Sequence, residues 1–127
     1  MKTLPDEIKR IVSQLSRVRG VKAVYLYGSR ARGVHRPSSD YDLCVFAGRE
    51  PGERLKTSVL SRSSGRADVT LFWDLPPVMR MRVLIDGKPL YISDEPFMHR
   101  AKIETLRDYQ DIAPMYARYS EKTLCGT

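Results

Sequence analysis

Residues 28–33 read Gly-Ser-Arg-Ala-Arg-Gly, and residues 39–43 read Ser-Asp-Tyr-Asp-Leu. The first segment follows Val21 to Tyr27, a short run rich in valine and tyrosine that is typical of a buried strand. Gly28 permits a tight turn after the strand, and Ser29 is placed to cap the helical turn that follows. The segment therefore predicts a strand, a turn and a helix start in succession.

Such a helix start attracts phosphate, because its free backbone amides and dipole carry partial positive charge. The Ser29 hydroxyl can donate a hydrogen bond to a phosphate oxygen, and Arg30 or Arg32 can neutralise further charge. Taken alone, however, a Gly-Ser pair after a strand is more often an ordinary turn.

The second segment brings two carboxylates together at the start of a second strand, predicted over Tyr41 to Phe46. Asp40 and Asp42 are two residues apart, so on a strand their side chains project from the same face. Like charges at that separation repel and call for a counterion, and oxygen ligands suit Mg²⁺ held partly by substrate phosphates. The alternative is that Asp40 caps a turn and Asp42 is solvated at a strand end.

A third carboxylate, Asp68, begins the next strand-like segment, Ala67 to Trp73. A neighbouring strand could deliver Asp68 beside the first pair, where it would act as a general base toward an attacking hydroxyl aligned by the metal. Asp74 is the rival, although its surroundings are more typical of a strand exit. The alternative for either acid is a solvated carboxylate at the end of a strand.

The remaining pattern predicts helices around these strands. A helix begins after Pro5 and ends near Gly20, with an apolar stripe that contributes to the core: Ile8, Ile11, Val12, Leu15 and Val18. Pro51 to Leu60 favours a short helix, whereas Val78 to Ile85 fits helix or strand and ends at a tight-turn dipeptide, Asp86-Gly87. Leu90 to Ile92 is then a short paired strand.

The last third of the chain is predicted to be helical from Phe97 to about Asp111, with Pro114 kinking or dividing it from a final helical piece. Together these elements indicate a mixed α/β (α+β) layer structure with a sheet packed against helices. We expect one domain over residues 1–127, with residues 97–127 as a C-terminal helical segment.

Composition narrows the class of protein. The 127 residues carry a formal net charge of +7, which indicates an anionic partner without choosing among phosphate, nucleotide, nucleic acid and an acidic protein face. The longest apolar runs are far shorter than a membrane span, and residues 1–10 do not resemble a secretory signal, so we expect a cytoplasmic protein. Cys44 and Cys125 are expected to be free thiols, and His35 and His99 to lie on the surface.

In their order and spacing, these motifs resemble those of the minimal nucleotidyltransferases of the DNA polymerase β superfamily. The resemblance is clearest from Val21 to about Trp73, and a weaker match covers residues 85–91. It implies the nucleotidyltransferase fold, a small mixed β-sheet flanked by helices, with Asp40, Asp42 and Asp68 as an acidic triad that binds two Mg²⁺ ions. It also implies that ATP is the donor and that its triphosphate binds at Gly28, Ser29, Arg30, Arg32, Gly33 and Ser39.

Small proteins of this family resemble the antitoxin half of HEPN/MNT toxin–antitoxin pairs, in which AMP is transferred to a tyrosine of a ribonuclease-like HEPN toxin. Residues of the C-terminal region could dock that partner, or could instead cover the domain's own core: Phe97, Ile103, Leu106, Tyr109, Ile112, Met115, Tyr116 and Tyr119. Two alternatives stay open. One is an antitoxin that acts by binding alone. The other is an RNA-directed nucleotidyltransferase, since the net charge by itself does not decide whether the protein binds nucleic acid directly.

Overall fold

The computed structural model describes residues 4–33 and 40–125, and in the last helix it describes the side chains up to residue 111 and that of Pro114. The elements follow one another along the chain in an alternating order. They are α1 (Asp6–Ser16), β1 (Ala23–Tyr27), α2 (Gly28–Arg32), β2 (Tyr41–Phe46), α3 (Glu53–Leu60), β3 (Ala67–Leu71), a 3₁₀ turn (Phe72–Asp74), α4 (Pro77–Asp86), β4 (Lys88–Ile92) and α5 (Glu95–Cys125).

The strands form one four-stranded sheet in the order β3-β2-β1-β4. β2 and β3 are parallel and are joined by a crossover through α3, whereas β1 is antiparallel to both β2 and β4. This is the mixed sheet flanked by helices that the sequence predicted. Because β2 and β3 run in the same direction, their first residues lie at one edge of the sheet, beside the end of β1.

The sheet is covered on both faces. On one face α1 and α3 pack through Ile8, Leu15 and Val59 against inward-facing residues of the strands, among them Val24, Leu43 and Val69. On the other face α4 and α5 contribute Val83 and Met98 to a second cluster with Tyr25, Phe46 and Phe72. β1 lies between the two layers and all five of its residues are buried, which agrees with the apolar run that predicted it.

The first helix has the predicted apolar stripe, of which Ile8, Ile11 and Leu15 are buried. The predicted helix after Pro51 is also present as α3. The region that fitted helix or strand is helix α4, with Pro77 in its first turn, where the missing N–H of proline leaves no bond unmade.

Several details differ from the sequence prediction. α1 ends at Ser16 and not near Gly20, so Val18 of the predicted stripe lies in the loop after the helix. β3 ends at Leu71, because Phe72–Asp74 turns into a 3₁₀ helix that removes Asp74 from the strand. Asp86-Gly87 is not a hairpin turn: Gly87 has an extended backbone with φ −68° and joins α4 to β4, which pairs with β1. α5 runs through Pro114 without a break. Proline removes one backbone donor there, but its fixed φ is compatible with a helix.

α5 is held to the rest of the chain by a cluster of charges around Trp73. Arg80 is buried, and its guanidinium donates to the Leu75 carbonyl at 2.9 Å and to Asp108 of α5 at 3.1 Å. Arg49 donates to Asp108 at 3.3 Å, and its guanidinium carbon lies 3.9 Å from the centre of the Trp73 ring. Among the residues that the structure describes, no helix is both long enough and apolar enough to span a membrane.

Candidate active site

The turn after β1 begins with Gly28, whose φ of +75° lies in the left-handed region that favours glycine. α2 starts at Gly28 itself, with Tyr27 in the preceding cap position and no side-chain hydrogen bond to the cap. Ser29 is therefore inside the first turn, and the prediction that its side chain caps the helix is wrong. The helix starts two residues earlier than expected, at the glycine of the turn itself.

Two of the predicted carboxylates lie side by side at the edge where β2 and β3 begin. In the parallel register of these strands Asp42 is paired with Asp68, and in the antiparallel register with β1 it is paired with Tyr27. Paired residues on neighbouring strands project to the same face of a sheet, about 5 Å apart. Asp42 and Asp68 therefore share the face that also carries Tyr27 and α4.

The charges of the three acids act on one another. Burial raises the pKa of Asp42, and the negative charges of Asp68 and then Asp40 raise it further. The pKa of Tyr27 is also raised, mainly by burial, although a hydrogen bond with Thr70 at 3.2 Å opposes the shift. The site thus concentrates negative charge at a half-buried position, an arrangement that a cation would stabilise.

Gly28 and Asp42 are in close contact. A Cβ added to Gly28 would overlap the Asp42 carboxylate oxygen Oδ2 and would lie 3.3 Å from its Cγ. The turn at the end of β1 therefore needs glycine for a second reason besides its positive φ, because any side chain would displace the carboxylate.

A cleft of about 390 Å³ opens beside these residues and is lined by Tyr27, Gly28, Arg32, Asp42, Met79, Arg82 and Asp86. Its volume is in the range of small-molecule sites, roughly 300 to 1,000 Å³. The α4 residues and Tyr27 were not predicted. Met79, Arg82 and Asp86 are three and four residues apart, so a firm prediction of helix over residues 77–86 would have placed them on one face.

The other predicted phosphate-binding residues are divided between two places. Arg32 lines the cleft, whereas the Arg30 guanidinium lies 4.2 Å from the centre of the Tyr41 ring, which belongs to the opposite face of the sheet. Gly33 ends α2 with φ +74°, and no described residue lies within 4 Å of a Cβ added there. Ser39 lies outside the described residues.

The carboxylates supply only part of a binding site for a divalent cation. Over residues 4–33 and 40–125, no three acidic, histidine or cysteine side chains converge closely enough to form a complete metal site. The adjacent pair is Asp42 and Asp68, with Asp40 exposed just before β2. Mg²⁺ commonly binds one or two carboxylates and takes its remaining ligands from water and substrate phosphates, so this donor set is chemically suitable.

The residues considered as alternatives are placed elsewhere. Asp74 is exposed in the 3₁₀ turn and does not contribute to the shifted pKa of Asp42. His99 is exposed on α5 as predicted, and His35 is outside the described residues. Cys44 is a buried free thiol whose pKa is raised by burial, and the side chain of Cys125 is not described.

Comparison with solved structures gives the same fold over nearly the whole chain. A toxin–antitoxin crystal structure with AMP-PNP matches with TM-score 0.68 and 18% identity, over 94% of this chain and 97% of that one. The MNT antitoxin in complex with the tri-AMPylated Shewanella oneidensis HEPN toxin matches with TM-score 0.65 and 15% identity, over 94% of each chain. At these identities the likeness concerns the fold alone.

A third structure, of a Sulfolobus solfataricus protein assigned as a nucleotidyltransferase, is 26% identical and has TM-score 0.52, over 68% of this chain and 78% of that one. No curated protein sequence matches the chain significantly. The model of the family described as "Polymerase beta, Nucleotidyltransferase" matches residues 7–96, more than half of the 127 residues. This chain therefore belongs to the polymerase β nucleotidyltransferase family.

Proposed function

We propose that this nucleotidyltransferase transfers AMP from ATP to a tyrosine hydroxyl of a HEPN-type toxin and acts as its antitoxin. The observation that carries the proposal is the pairing of Asp42 with Asp68 beside the Gly28 turn, at the mouth of a cleft lined by two arginines. Phosphoryl-group transfer depends mainly on positioning and charge neutralisation, so paired acids, a cation and a phosphate-binding turn are a sufficient set.

In the proposed reaction the tyrosine oxygen attacks the α-phosphorus of ATP. A bond forms between that oxygen and phosphorus, the bond from the α-phosphorus to the bridging oxygen breaks, and pyrophosphate leaves with the electron pair. Asp68 accepts the proton of the hydroxyl, since it is more exposed than Asp42, the other acid of the adjacent pair. When bound, two Mg²⁺ ions at Asp40, Asp42 and Asp68 would neutralise phosphate charge and lower the pKa of the hydroxyl.

The rest of the site would bind the nucleotide. Gly28 and Ser29 present the first turn of α2 to the triphosphate, and Arg32 neutralises part of its charge. Arg30 and Gly33 stay predictions for the same role, as does Ser39. Arg82 and Met79 extend the cleft along α4. There the Arg82 guanidinium could contact a phosphate, and the apolar thioether of Met79 could contact the base.

The choice of a toxin tyrosine as the acceptor is supported by the complexes in which the structural neighbours were solved. One is a toxin–antitoxin complex with an ATP analogue and another is a complex with a tri-AMPylated HEPN toxin, each with a chain of nearly the same length as this one. AMP adds bulk and negative charge, which would disable a ribonuclease by occlusion and repulsion of RNA.

α5 offers a face for such a partner. Ile103 and Leu106 are 45% and 46% exposed on this helix, although large apolar side chains are usually buried. They are spaced three residues apart and therefore lie on one side of the helix. Phe97 and Tyr109 are half-buried. The side chains of the other predicted docking residues lie outside the described ones: Ile112, Met115, Tyr116 and Tyr119.

The test is to isolate the protein from its native cell, identify the protein that accompanies it, and mix the two with ATP and Mg²⁺. We expect the intact mass of the partner to increase by one or more AMP groups, with the modification on tyrosine by peptide mass spectrometry. If the partner is neutralised equally well by Asp42→Asn, the antitoxin acts by binding alone. If label from ATP enters RNA and no protein, the RNA-directed alternative is correct.

A further inference from the structure

A second and larger groove lies on the other face of the sheet from the paired acids. Its volume is about 710 Å³, and it is formed where the end of α1 and the following loop meet the start of α3. We call it the α1–α3 groove, defined by Gln14, Arg17, Arg19, Arg54 and Arg62 with the apolar residues Val18 and Leu55. It shares no residue with the acid-bearing cleft.

The groove is strongly basic. Four of its lining residues are arginines, and neither an acidic nor an aromatic residue is among them. Arg17, Arg19 and Arg54 are exposed and form no ion pair with any residue in the described part of the chain. Uncompensated positive charge collected in a concave surface attracts anions more strongly than the same charge spread over a convex one.

Arg62 is different from the other three because it is partly buried. Its Nη1 donates to the Gln14 side-chain oxygen at 3.2 Å, which joins α1 to the segment that follows α3. Its Nε is buried and has no hydrogen-bond partner among the described residues, so one donor of this guanidinium is unsatisfied.

The arginines are held in place by the packing beneath them. Val18 and Leu55 pack on the hydrophobic core, and Gly20 lies against Leu55, where an added Cβ would approach the Leu55 Cδ1 to 2.8 Å. This contact, with the positive φ of Gly20, seats the loop after α1 against α3. The start of α3 follows Gly52, which also lines the groove, and has no side-chain cap.

We propose that the α1–α3 groove binds the phosphodiester backbone of a nucleic-acid duplex, independently of sequence. Arginine forks match phosphate oxygens in bidentate geometry, and four of them exceed the charge of a single phosphate group. A single nucleotide or an unpaired strand would need an aromatic platform for its base, which the groove lacks. Backbone contacts alone are the recognition mode that this lining permits.

This proposal goes beyond nucleotidyl transfer and does not depend on it, because the groove and the cleft lie on opposite faces of the sheet. A bound duplex would bring the protein, and any partner it carries, to nucleic acid while the cleft stays open. The RNA-directed alternative would require nucleic acid in the cleft itself, so the two ideas make different predictions.

The test compares two double variants of the full chain, Arg17→Gln with Arg54→Gln in the groove and Arg10→Gln with Arg107→Gln as the control. All four arginines are exposed, and each variant removes two positive charges from the same net charge of +7. Fluorescence anisotropy with labelled duplex RNA and duplex DNA of arbitrary sequence is measured over a range of salt concentrations. Circular dichroism confirms that both variants are folded.

We expect the wild type to bind duplex, and the groove variant to bind at least about tenfold more weakly with a salt slope lower by roughly 0.9 for each phosphate contact removed. The control variant should retain wild-type affinity within about threefold, and the groove variant should retain nucleotidyl transfer. Equal weakening by both variants would overturn the proposal, since net charge alone would then explain binding. Binding of poly-glutamate in place of duplex, lost only in the groove variant, would also overturn it and assign the groove to an acidic protein segment.

Discussion

The carboxylate of Asp42 lies in the space that a side chain at Gly28 would fill. Gly28 directly follows β1 and Asp42 belongs to β2, and the two strands bring them together because Tyr27, the residue before Gly28, is the register partner of Asp42. The turn that we propose to bind phosphate and the acidic pair are thus parts of one structural unit, in which the turn leaves room for the acid only because it lacks a side chain.

Replacing Gly28 with alanine tests this contact. We expect Gly28→Ala to lower the free energy of unfolding by more than about 1 kcal/mol, because the residue has a positive φ and its Cβ overlaps Asp42. The displaced carboxylate should also lower the rate of nucleotidyl transfer by on the order of 10²-fold, as positioning errors near 1 Å do. Chemical denaturation and transfer of label from ATP measure the two effects.

Gly20→Ala is the matched control, since Gly20 also has a positive φ, +99°, and an added Cβ there would lie 2.8 Å from Leu55 Cδ1, but on the face of the sheet away from the paired acids. We expect a similar loss of stability and a much smaller loss of activity. Equal loss of activity in the two variants would show that the contact between Gly28 and Asp42 has no special role.

The raised pKa of Asp42 has a consequence for stability without metal. A carboxyl whose pKa is raised on folding stabilises the protein in its protonated form, and this contribution is lost as pH rises through the folded pKa. We therefore expect metal-free Asp42→Asn to be more stable than the wild type near neutral pH, with the difference shrinking as pH falls toward 3.8, the ordinary value. Thermal unfolding at a series of pH values measures it.

A divalent cation should change the order of stability of the wild type and Asp42→Asn. Added Mg²⁺ is expected to raise the melting temperature of the wild type and to leave Asp42→Asn unchanged, because a ligand stabilises only the state that binds it. A metal-free variant less stable than the wild type at neutral pH would mean that Asp42 is held by favourable contacts rather than by mutual repulsion of carboxylates.

The layer structure was predictable because its signals are local. The apolar stripe of α1 and the short valine-rich run of β1 both predicted the elements that the structure contains. The continuity of α5 through Pro114 was not predictable, since proline is compatible with a helix as well as with a break, and the sequence contains no glycine or second proline there to decide.

In the site, the pairing of Asp42 with Asp68 could be expected from two strands that each carry an acid at the second position, and the register of β2 with β3 agrees with it. The α4 side of the cleft was missed because Val78 to Ile85 alternates apolar and charged residues in a way that fits both periods. Arg30 was expected near phosphate, but the ring of Tyr41 offers its guanidinium a cation–π contact on the other face.

Arg82 provides a test of the part of the cleft that the sequence did not reveal. We expect Arg82→Gln to weaken ATP binding by about 10- to 100-fold, because it removes a charged donor near the phosphates. Isothermal titration with a non-hydrolysable ATP analogue measures the affinity. Arg107→Gln, an exposed arginine of α5, is the control and should bind ATP as the wild type does.

The charge cluster around Trp73 predicts unequal effects for its two arginines. Arg80→Met should lower the free energy of unfolding by about 2 kcal/mol, since Arg80 is buried and its loss leaves the Leu75 carbonyl without its donor. Arg49→Met should lower the free energy of unfolding by less than about 1 kcal/mol, because the ion pairs of Arg49 with Glu104 and Asp108 are exposed.

Asp108 gives the same cluster a pH dependence. Burial is the largest single effect and opposes its ionisation, but the hydrogen bonds and charges of Arg80 and Arg49 together outweigh it and lower the pKa of Asp108. Its contribution to stability is therefore present above the ordinary value and is lost as pH falls through the folded value. Urea denaturation of Arg80→Met and Arg49→Met between neutral and acid pH measures the effect. Equal losses of stability in the two variants would contradict the larger role assigned to Arg80.

The most direct test of the account is the transfer of label from α-labelled ATP to the co-purified partner by the wild type, Asp68→Asn and Asp74→Asn. Both substitutions remove one carboxylate charge without changing size, but only Asp68 is paired with Asp42. We predict Mg²⁺-dependent labelling by the wild type and by Asp74→Asn, and a loss on the order of 10²-fold or more for Asp68→Asn. Undiminished labelling by Asp68→Asn, or loss of labelling in Asp74→Asn alone, would contradict it.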